Sequence, residues 1–332
     1  MKASVPQLVS IAAIAVGLLL FVLTLYYIDL DETLQSASQL GLALPLILLP
    51  GACWQLLRTW GWSVAFPDAE RPAFTRLFRV RLAADAISFF TVRALVGEPL
   101  KVVLLYDRVA PEITTAAVAL ERLAFAILST FIAALISVAA VARLSMPGAW
   151  DTVFTLLMIG ATIALTLVAY ISRRRTGDYI GRVVEALDRA TGRRLEGSRI
   201  IRFILDVEDV LLQLLRGDPK RLVILLILPV VCYLLMAVEV WLVFWAIGNP
   251  IGVTEGLTIE TFTRLASVAS AAIPGNLGAL EASNAAVVAA LGLGGGGALA
   301  LTRRIRALLW AAAGLAVYPR IKIGDARPPE AR

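Results

Sequence analysis

TVRALVGEPLKVVLLYDRVAPEITTAAVALER, residues Thr91–Arg122, decides how this chain is read. It carries Arg93, Glu98, Lys101, Asp107, Arg108, Glu121 and Arg122, and the runs on both sides are strongly apolar. A soluble protein would set such charges on a wet surface. Inside a bilayer an ionisable side chain is expensive, so it turns toward protein or a water-filled cavity and marks a functional site.

Composition places the stretch in a membrane. Of 332 residues, 59% are hydrophobic and mean hydropathy is +0.81, against about 45–50% apolar residues in soluble domains. There is no His, which removes the commonest metal ligand and the usual proton shuttle near neutral pH. Cys53 and Cys232 both fall in apolar runs and read as small buried hydrophobes, not as a disulfide or metal pair. No metal and no cofactor is expected. The net charge of +6 says less than the placement of Lys and Arg among the loops.

Leu8–Ile28 is free of charge and long enough to span, with Lys2 before it and Asp29, Asp31 and Glu32 after it. It reads as an anchor with the N-terminus inside. Leu40–Trp60 is the second span, interrupted by Pro45 and Pro50, and the basic residues after it (Arg58, Arg71, Arg76, Arg79, Arg81) read as a cytoplasmic loop. Phe74–Tyr106 is apolar but punctuated by Arg81, Asp85, Arg93, Glu98 and Lys101 and broken by Gly97 and Pro99. It is expected to form a re-entrant hairpin turning near Val92–Pro99. Irregular backbone at depth is tolerated only where protein or water covers it.

Glu112–Val141 and Val153–Ile171 are further spans, joined by the turn Met146-Pro147-Gly148 and stopped by Arg173–Arg175. Arg173–Arg202 is basic, and Ile200–Arg216 has its charges at spacings of three and four, an amphipathic helix on the inner leaflet or on the bundle. Leu222–Ile247 is the next span, followed by a loop carrying Glu255 that is expected outside. Phe262–Leu291 is broken at Ile273–Gly278 and holds Arg264 and Glu281, a second hairpin. Gly294–Gly297 is a joint, and Ala298–Tyr318, with Arg303, Arg304 and Arg306, is the last span.

The two broken regions echo each other. Gly97 and Gly278 are 181 residues apart (278 − 97 = 181), and at that offset ALER at 119–122 meets ALTR at 300–303. Chance matching in an Ala/Leu-rich chain is the alternative. Three spans separate the hairpins, so the repeats would be inverted. The expectation is an all-α polytopic membrane protein: about six full transmembrane helices plus two re-entrant hairpins in an inverted repeat. It is one transmembrane domain, residues 1–332, with repeats at 40–142 and 221–318 and a cytoplasmic connector at 173–216. Inverted repeats with broken helices at mid-depth point to a transporter site.

Other chemistries find little support. Gly292-x-Gly294-x-x-Gly297 matches a dinucleotide fingerprint by letter only, without a β-α-β unit. A phosphate loop of the GxxxxGK[ST] form is absent, and without His no Ser/His/Asp or Cys/His arrangement exists. No catalytic residue is assigned, and no nucleic-acid partner is expected. Glu98 and Lys101 make either an ion pair holding the hairpin tip or part of a cavity for a lipid headgroup. Arg303, Arg304 and Arg306 are either interfacial anchors or cavity residues.

VGEPLKVVLL, the downstream ALERL, and IPGNLGALEA followed by an Arg-bearing helix resemble the transmembrane domain of lysylphosphatidylglycerol synthase/flippase proteins. That domain also occurs alone in flippase-like membrane proteins, including ones associated with hopanoid lipids. The resemblance covers nearly the whole chain and implies lipid translocation rather than catalysis. The residues proposed to meet substrate are Arg93, Glu98, Lys101, Glu121, Arg122, Glu281, Arg303 and Arg304, with Gly97, Pro99, Pro274, Gly275 and Gly278 as structural turns. Two departures stand out: the chain ends soon after its last span, so no aminoacyl-transferring domain is expected, and Asn276 stands where a further Gly is expected.

The resulting expectation is a translocase of the bacterial inner (plasma) membrane, multi-pass with both termini cytoplasmic, acting on membrane lipids. The alternatives are a non-transporting partner of a lipid-synthesis enzyme, docked through Arg173–Arg216, and an intramembrane lipid-modifying transferase. Headgroup, direction, energy coupling and oligomeric state are not readable from the sequence. A single cysteine at position 32 should label from outside in intact cells, and one at position 190 only after permeabilisation. Labelling at 190 in intact cells would sink this topology.

Overall fold

The computed structural model describes residues 40–91, 93–144, 148–173, 189, 199–216, 219–271, 273–276 and 278–318. The expected anchor Leu8–Ile28, most of the basic connector and the tail after Tyr318 lie outside these residues.

The described chain is helical, with no strand. A short 3-10 turn at Gly41–Ala43 leads into α1, Leu44–Val64. Two shorter helices follow, α2 at Phe74–Phe89 and α3 at Arg93–Leu105. Then come α4, Pro111–Arg143, and α5, Gly148–Arg173. Pro111 suits the first turn of α4, where its missing N–H costs nothing, and Glu112 and Arg143 complement the two ends of the helix dipole. α6 covers Arg199–Arg216 and α7 covers Pro219–Ala246. The chain then repeats the order of two short helices and a long one: α8 at Val253–Ala269, α9 at Ala279–Ala290 and α10 at Gly296–Val317. Among the described residues, three helices are long and apolar enough to cross a membrane: Gly41–Val64, Pro111–Arg143 and Pro219–Ala246.

Packing pairs these elements in a regular way. α1 lies along α7, α2 along α10, and α4 along α5, α7 and α8, while α2 packs on α3 and α8 on α9. A Cβ on Gly61 would stand 3.4 Å from Leu228, and one on Gly51 would stand 3.7 Å from Glu239. Residue 61 thus faces 228 while 51 faces 239, so α1 and α7 run antiparallel. Two apolar cores occupy the two ends of this pair. One gathers Trp62, Phe66, Leu77, Leu104 and Leu225. The other gathers Ile47, Val240, Phe244, Ile259 and Leu299. α6 lays Val207, Val210, Leu211 and Leu214 on the first core and exposes Arg202, Asp206, Asp209 and Gln213, so it docks on the bundle.

Four expectations need correction. The first hairpin turns ahead of Arg93, where α3 begins, not across Val92–Pro99: Gly97 and Pro99 both lie inside α3. Gly97 serves close packing instead, since a Cβ there would meet the Ser88 side chain of α2 at 2.7 Å. The second hairpin begins at Val253, not Phe262, and takes in Glu255, which sits in the first turn of α8. Thr258, Glu260, Thr261 and Thr263 face protein there, so the helix lacks the apolar run that would betray it. Gly296 and Gly297 already belong to α10, and Gly148 to α5. Finally, Arg58 and Arg81 are not loop residues; both are buried inside helices, 5% and 1% exposed.

The second hairpin turns through the 3-10 turn Pro274–Asn276, with Gly275, Asn276 and Gly278 all at positive φ. Asn tolerates that conformation better than other side-chain-bearing residues. Asn276 also donates its amide to Ser267 Oγ at 2.9 Å, tying the tip to α8, so it replaces a glycine at little cost.

α10 approaches α2 most closely at Gly314, where a Cβ would run into the Leu82 carbonyl and the Ala86 methyl. Gly314→Ala should therefore destabilise the protein by about 1–3 kcal/mol, as overpacking does. Gly160→Ala, with nothing within 4 Å, should not. Thermal unfolding of the detergent-purified variants, followed by size exclusion, checks this; equal midpoints would mean that α10 does not rest on α2 at this point.

Candidate functional site

Two networks of buried charge lie between the apolar cores. The first is built on α1–α4. Glu121 of α4, 3% exposed, accepts from Arg58 of α1 at 3.1 Å, and Arg81 of α2 lies 3.6 Å from it. Arg81 also donates to the Arg58 carbonyl at 3.0 Å and faces Asp85 one turn on at 3.7 Å. Lys101 of α3 reaches Glu98 at 3.0 Å and Asp85 at 3.9 Å. Glu98 also pairs with Arg122 of α4. Two aromatic faces complete the network: Phe125 lies 3.7 Å from the Arg58 guanidinium, and Trp62 lies 5.6 Å from the Lys101 ammonium.

The second network is built on α7–α10. Arg303 of α10 donates to Glu260 of α8 at 2.6 Å and lies 3.9 Å from Glu239 of α7. Glu260 also accepts from Arg264 one turn on at 2.7 Å. Asn284 of α9 accepts from Arg303 at 3.2 Å and from Thr263 at 2.7 Å. Arg304 pairs with Glu281 of α9 and donates to the Gly275 carbonyl at the hairpin tip at 3.2 Å. Arg306 pairs with Glu239, where the first network has an aromatic ring against Arg58.

Position by position the networks correspond, and the separations in sequence are constant within each helix. Arg58 answers to Glu239 on α1 and α7, 181 residues on. Arg81 and Asp85 answer to Glu260 and Arg264 on α2 and α8, both at 179. Glu98 and Lys101 answer to Glu281 and Asn284 on α3 and α9, both at 183. Glu121 and Arg122 answer to Arg303 and Arg304 on α4 and α10, both at 182. The partners therefore match Arg122 with Arg304, not with Arg303 as the best sequence match has it, and Arg303 takes the place of Glu121.

The signs differ. Arg58/Glu239, Arg81/Glu260, Asp85/Arg264 and Glu121/Arg303 are all opposite in charge, and Lys101, a donor, answers to Asn284, here an acceptor. A central carboxylate held by two arginines in one half becomes a central arginine held by two carboxylates in the other. Only Glu98/Glu281 and Arg122/Arg304 keep their sign.

Depth separates the networks. On the antiparallel register of α1 and α7, Arg58 stands level with about residue 231 of α7, so Glu239 lies roughly 11 Å further along that helix. Of the sequence candidates, Glu98, Lys101, Glu121 and Arg122 come together in the first network, and Glu281, Arg303 and Arg304 in the second. Arg93 opens α3 at the first hairpin tip. Arg58, Arg81, Asp85, Glu239 and Glu260 carry as much of the networks and were not among those candidates. Arg58 had a readable signal: it lies inside an apolar run, only two residues before the end of the expected span.

Ten described helices, three of them able to cross a bilayer, and paired charges buried among them define a polytopic helical membrane protein with a polar interior. The chain belongs to the lysylphosphatidylglycerol synthase TM region family, whose model matches residues 10–316. No curated protein and no solved structure matches it.

Removing one member of a buried ion pair strands the other, at a cost of roughly 3–5 kcal/mol, whereas removing both relieves it. Glu121 keeps Arg81 at 3.6 Å when Arg58 is lost, so the coupling is read from a double-mutant cycle: Arg58→Gln/Glu121→Gln should lower the thermal midpoint in detergent by less than the sum of the two single variants. Strict additivity would mean that the Arg58–Glu121 contact is not a coupled pair.

Proposed function

We propose that this chain is a lipid translocase of the bacterial inner membrane, built as an inverted repeat of α1–α4 and α7–α10. The observation that carries the reading is the pair of charge networks, each assembled from a broken helical hairpin and two long helices and set at a different depth along the antiparallel α1–α7 pair. α2 and α3, of 16 and 13 residues, reach about 24 and 20 Å, short of a hydrocarbon core of about 30 Å. The same holds for α8 and α9, of 17 and 12 residues. On this reading both hairpins are re-entrant, enter from opposite faces and bring their tips toward mid-depth.

The charge balance favours an anionic headgroup. The first network sets Arg58, Arg81, Lys101 and Arg122 against Asp85, Glu98 and Glu121. The second sets Arg264, Arg303, Arg304 and Arg306 against Glu239, Glu260 and Glu281. Each has one cation in excess, which a lipid phosphate would neutralise, and Arg suits phosphate through its planar, bidentate fork. The headgroup would cross through the polar interior while its tails stay in lipid, with one repeat rocking on the other to expose each network in turn. The family is named for the membrane region of a lipid-modifying synthase, which supports a role in lipid handling. No side chain is given a catalytic role.

Proteoliposomes reconstituted with purified protein should move a headgroup-labelled phosphatidylglycerol between leaflets faster than protein-free vesicles, read as the fraction of label accessible to an impermeant quencher. Equal rates in both would overturn the reading.

A further inference from the structure

We infer that the substrate-contacting residues are Glu98–Arg122 in one half and Glu281–Arg304 in the other, and that the oppositely signed positions only hold the fold. The inference rests on the translocase reading. A headgroup that visits both networks in turn keeps its own charges throughout, so the groups that receive it must have the same sign at both stations. Arg58, Arg81, Asp85 and Glu121 answer to Glu239, Glu260, Arg264 and Arg303, and a phosphate welcomed by one set would be repelled by its counterpart. Only the Glu98–Arg122 and Glu281–Arg304 pairs offer the same headgroup the same arrangement twice.

Placement agrees with this division. Side chains of the swapped core, Arg58, Arg81, Glu121, Glu239, Glu260 and Arg303, are all less than a tenth exposed. Glu98 and Glu281 are 25% and 36% exposed, at the rims of their networks, as are the swapped Asp85 and Arg264, at 29% and 24%. Each rim pair also bridges the second helix of a hairpin to the following long helix, α3 to α4 and α9 to α10, which is where a headgroup entering beside the hairpin arrives. The two arginines differ in one respect: Arg122 is 46% exposed and Arg304 only 6%, with Arg304 held to the Gly275 carbonyl. The rim pairs thus differ in cover at the arginine, Arg122 open and Arg304 enclosed, while Glu281 is the more exposed of the two carboxylates. A lipid phosphate would take Arg122 from Glu98, and Glu98 would keep Lys101.

The test exchanges a pair without losing it. Glu281→Arg/Arg304→Glu keeps an ion pair between α9 and α10 but reverses what it presents. It should elute from size exclusion as the wild type does, yet move labelled phosphatidylglycerol in proteoliposomes no faster than empty vesicles. Arg122→Lys keeps the charge and loses the bidentate fork, and should slow movement by roughly tenfold with no change in thermal midpoint. A purely structural pair would tolerate both changes. If the wild type moves lipid and the exchanged variant matches it, the assignment is wrong although the translocase reading stands. If the exchanged variant fails to fold, Arg122→Lys decides: a wild-type rate overturns the assignment. A wild type that moves no lipid removes the reading and the assignment together.

Discussion

Every charge buried among these helices has to be neutralised by a neighbour, and that single constraint shapes the rest. Leaving an ion uncompensated in a low-dielectric interior costs several kcal/mol even after relaxation. Each carboxylate of the two networks faces at least one cation, and Asp85, Glu98, Glu121, Glu239 and Glu260 face two. The pairs also join different helices: α1 to α4, α2 to α3, α7 to α10, α8 to α10. The polar interior therefore fixes which helices are neighbours, while the apolar cores at the two ends supply the bulk of the packing. Glu239 illustrates the point. Deep in the apolar run of α7, it stands between two cations of α10, Arg303 and Arg306.

The same constraint explains why the hairpin helices are broken and short. Glycine permits the approaches that pairing needs: α3 comes against Ser88 of α2 at Gly97, and α1 admits the aliphatic stem of Arg306 at Gly51, where a Cβ would stand 2.6 Å from it. The second tip uses positive φ at Gly275, Asn276 and Gly278, and its Gly275 carbonyl is taken up by Arg304. On the re-entrant reading this turn lies at membrane depth, where only protein or trapped water can satisfy its backbone groups. Here a side chain of the charge network does so, which ties the tip to the site.

Much of this was legible in the sequence because it follows from apolar run length. The boundaries of α1, α4 and α7 come out within a few residues, since lipid-facing surface demands uninterrupted apolar side chains. What failed were segments whose polar residues face protein. α8 was read as starting at Phe262 because Thr258, Glu260, Thr261 and Thr263 turn inward. Arg58 and Arg81 were read as loop residues because positive charge beside a span is ordinarily a cytoplasmic signal. Pro99 was read as a break, but a proline within a helix is tolerated where neighbouring packing supports the freed carbonyl.

The correspondence between the two charge networks is harder to see in the sequence, and the reason is physical. An ion pair demands opposite signs between its two partners; it does not demand which partner carries which sign. A self-contained network can therefore exchange all its charges with no loss of pairing, as Arg58–Glu121–Arg81 and Glu239–Arg303–Glu260 do. Such positions score as mismatches in any comparison by identity, even where they occupy the same place in the two halves. That is why the match at an offset of 181 aligned Arg122 with Arg303, one residue from its counterpart in partners and geometry. A residue that meets something outside the network has no such freedom. On the translocase reading its sign is set by the visitor, and the positions that resist exchange between the halves, Glu98 with Glu281 and Arg122 with Arg304, are then the ones whose chemistry looks outward.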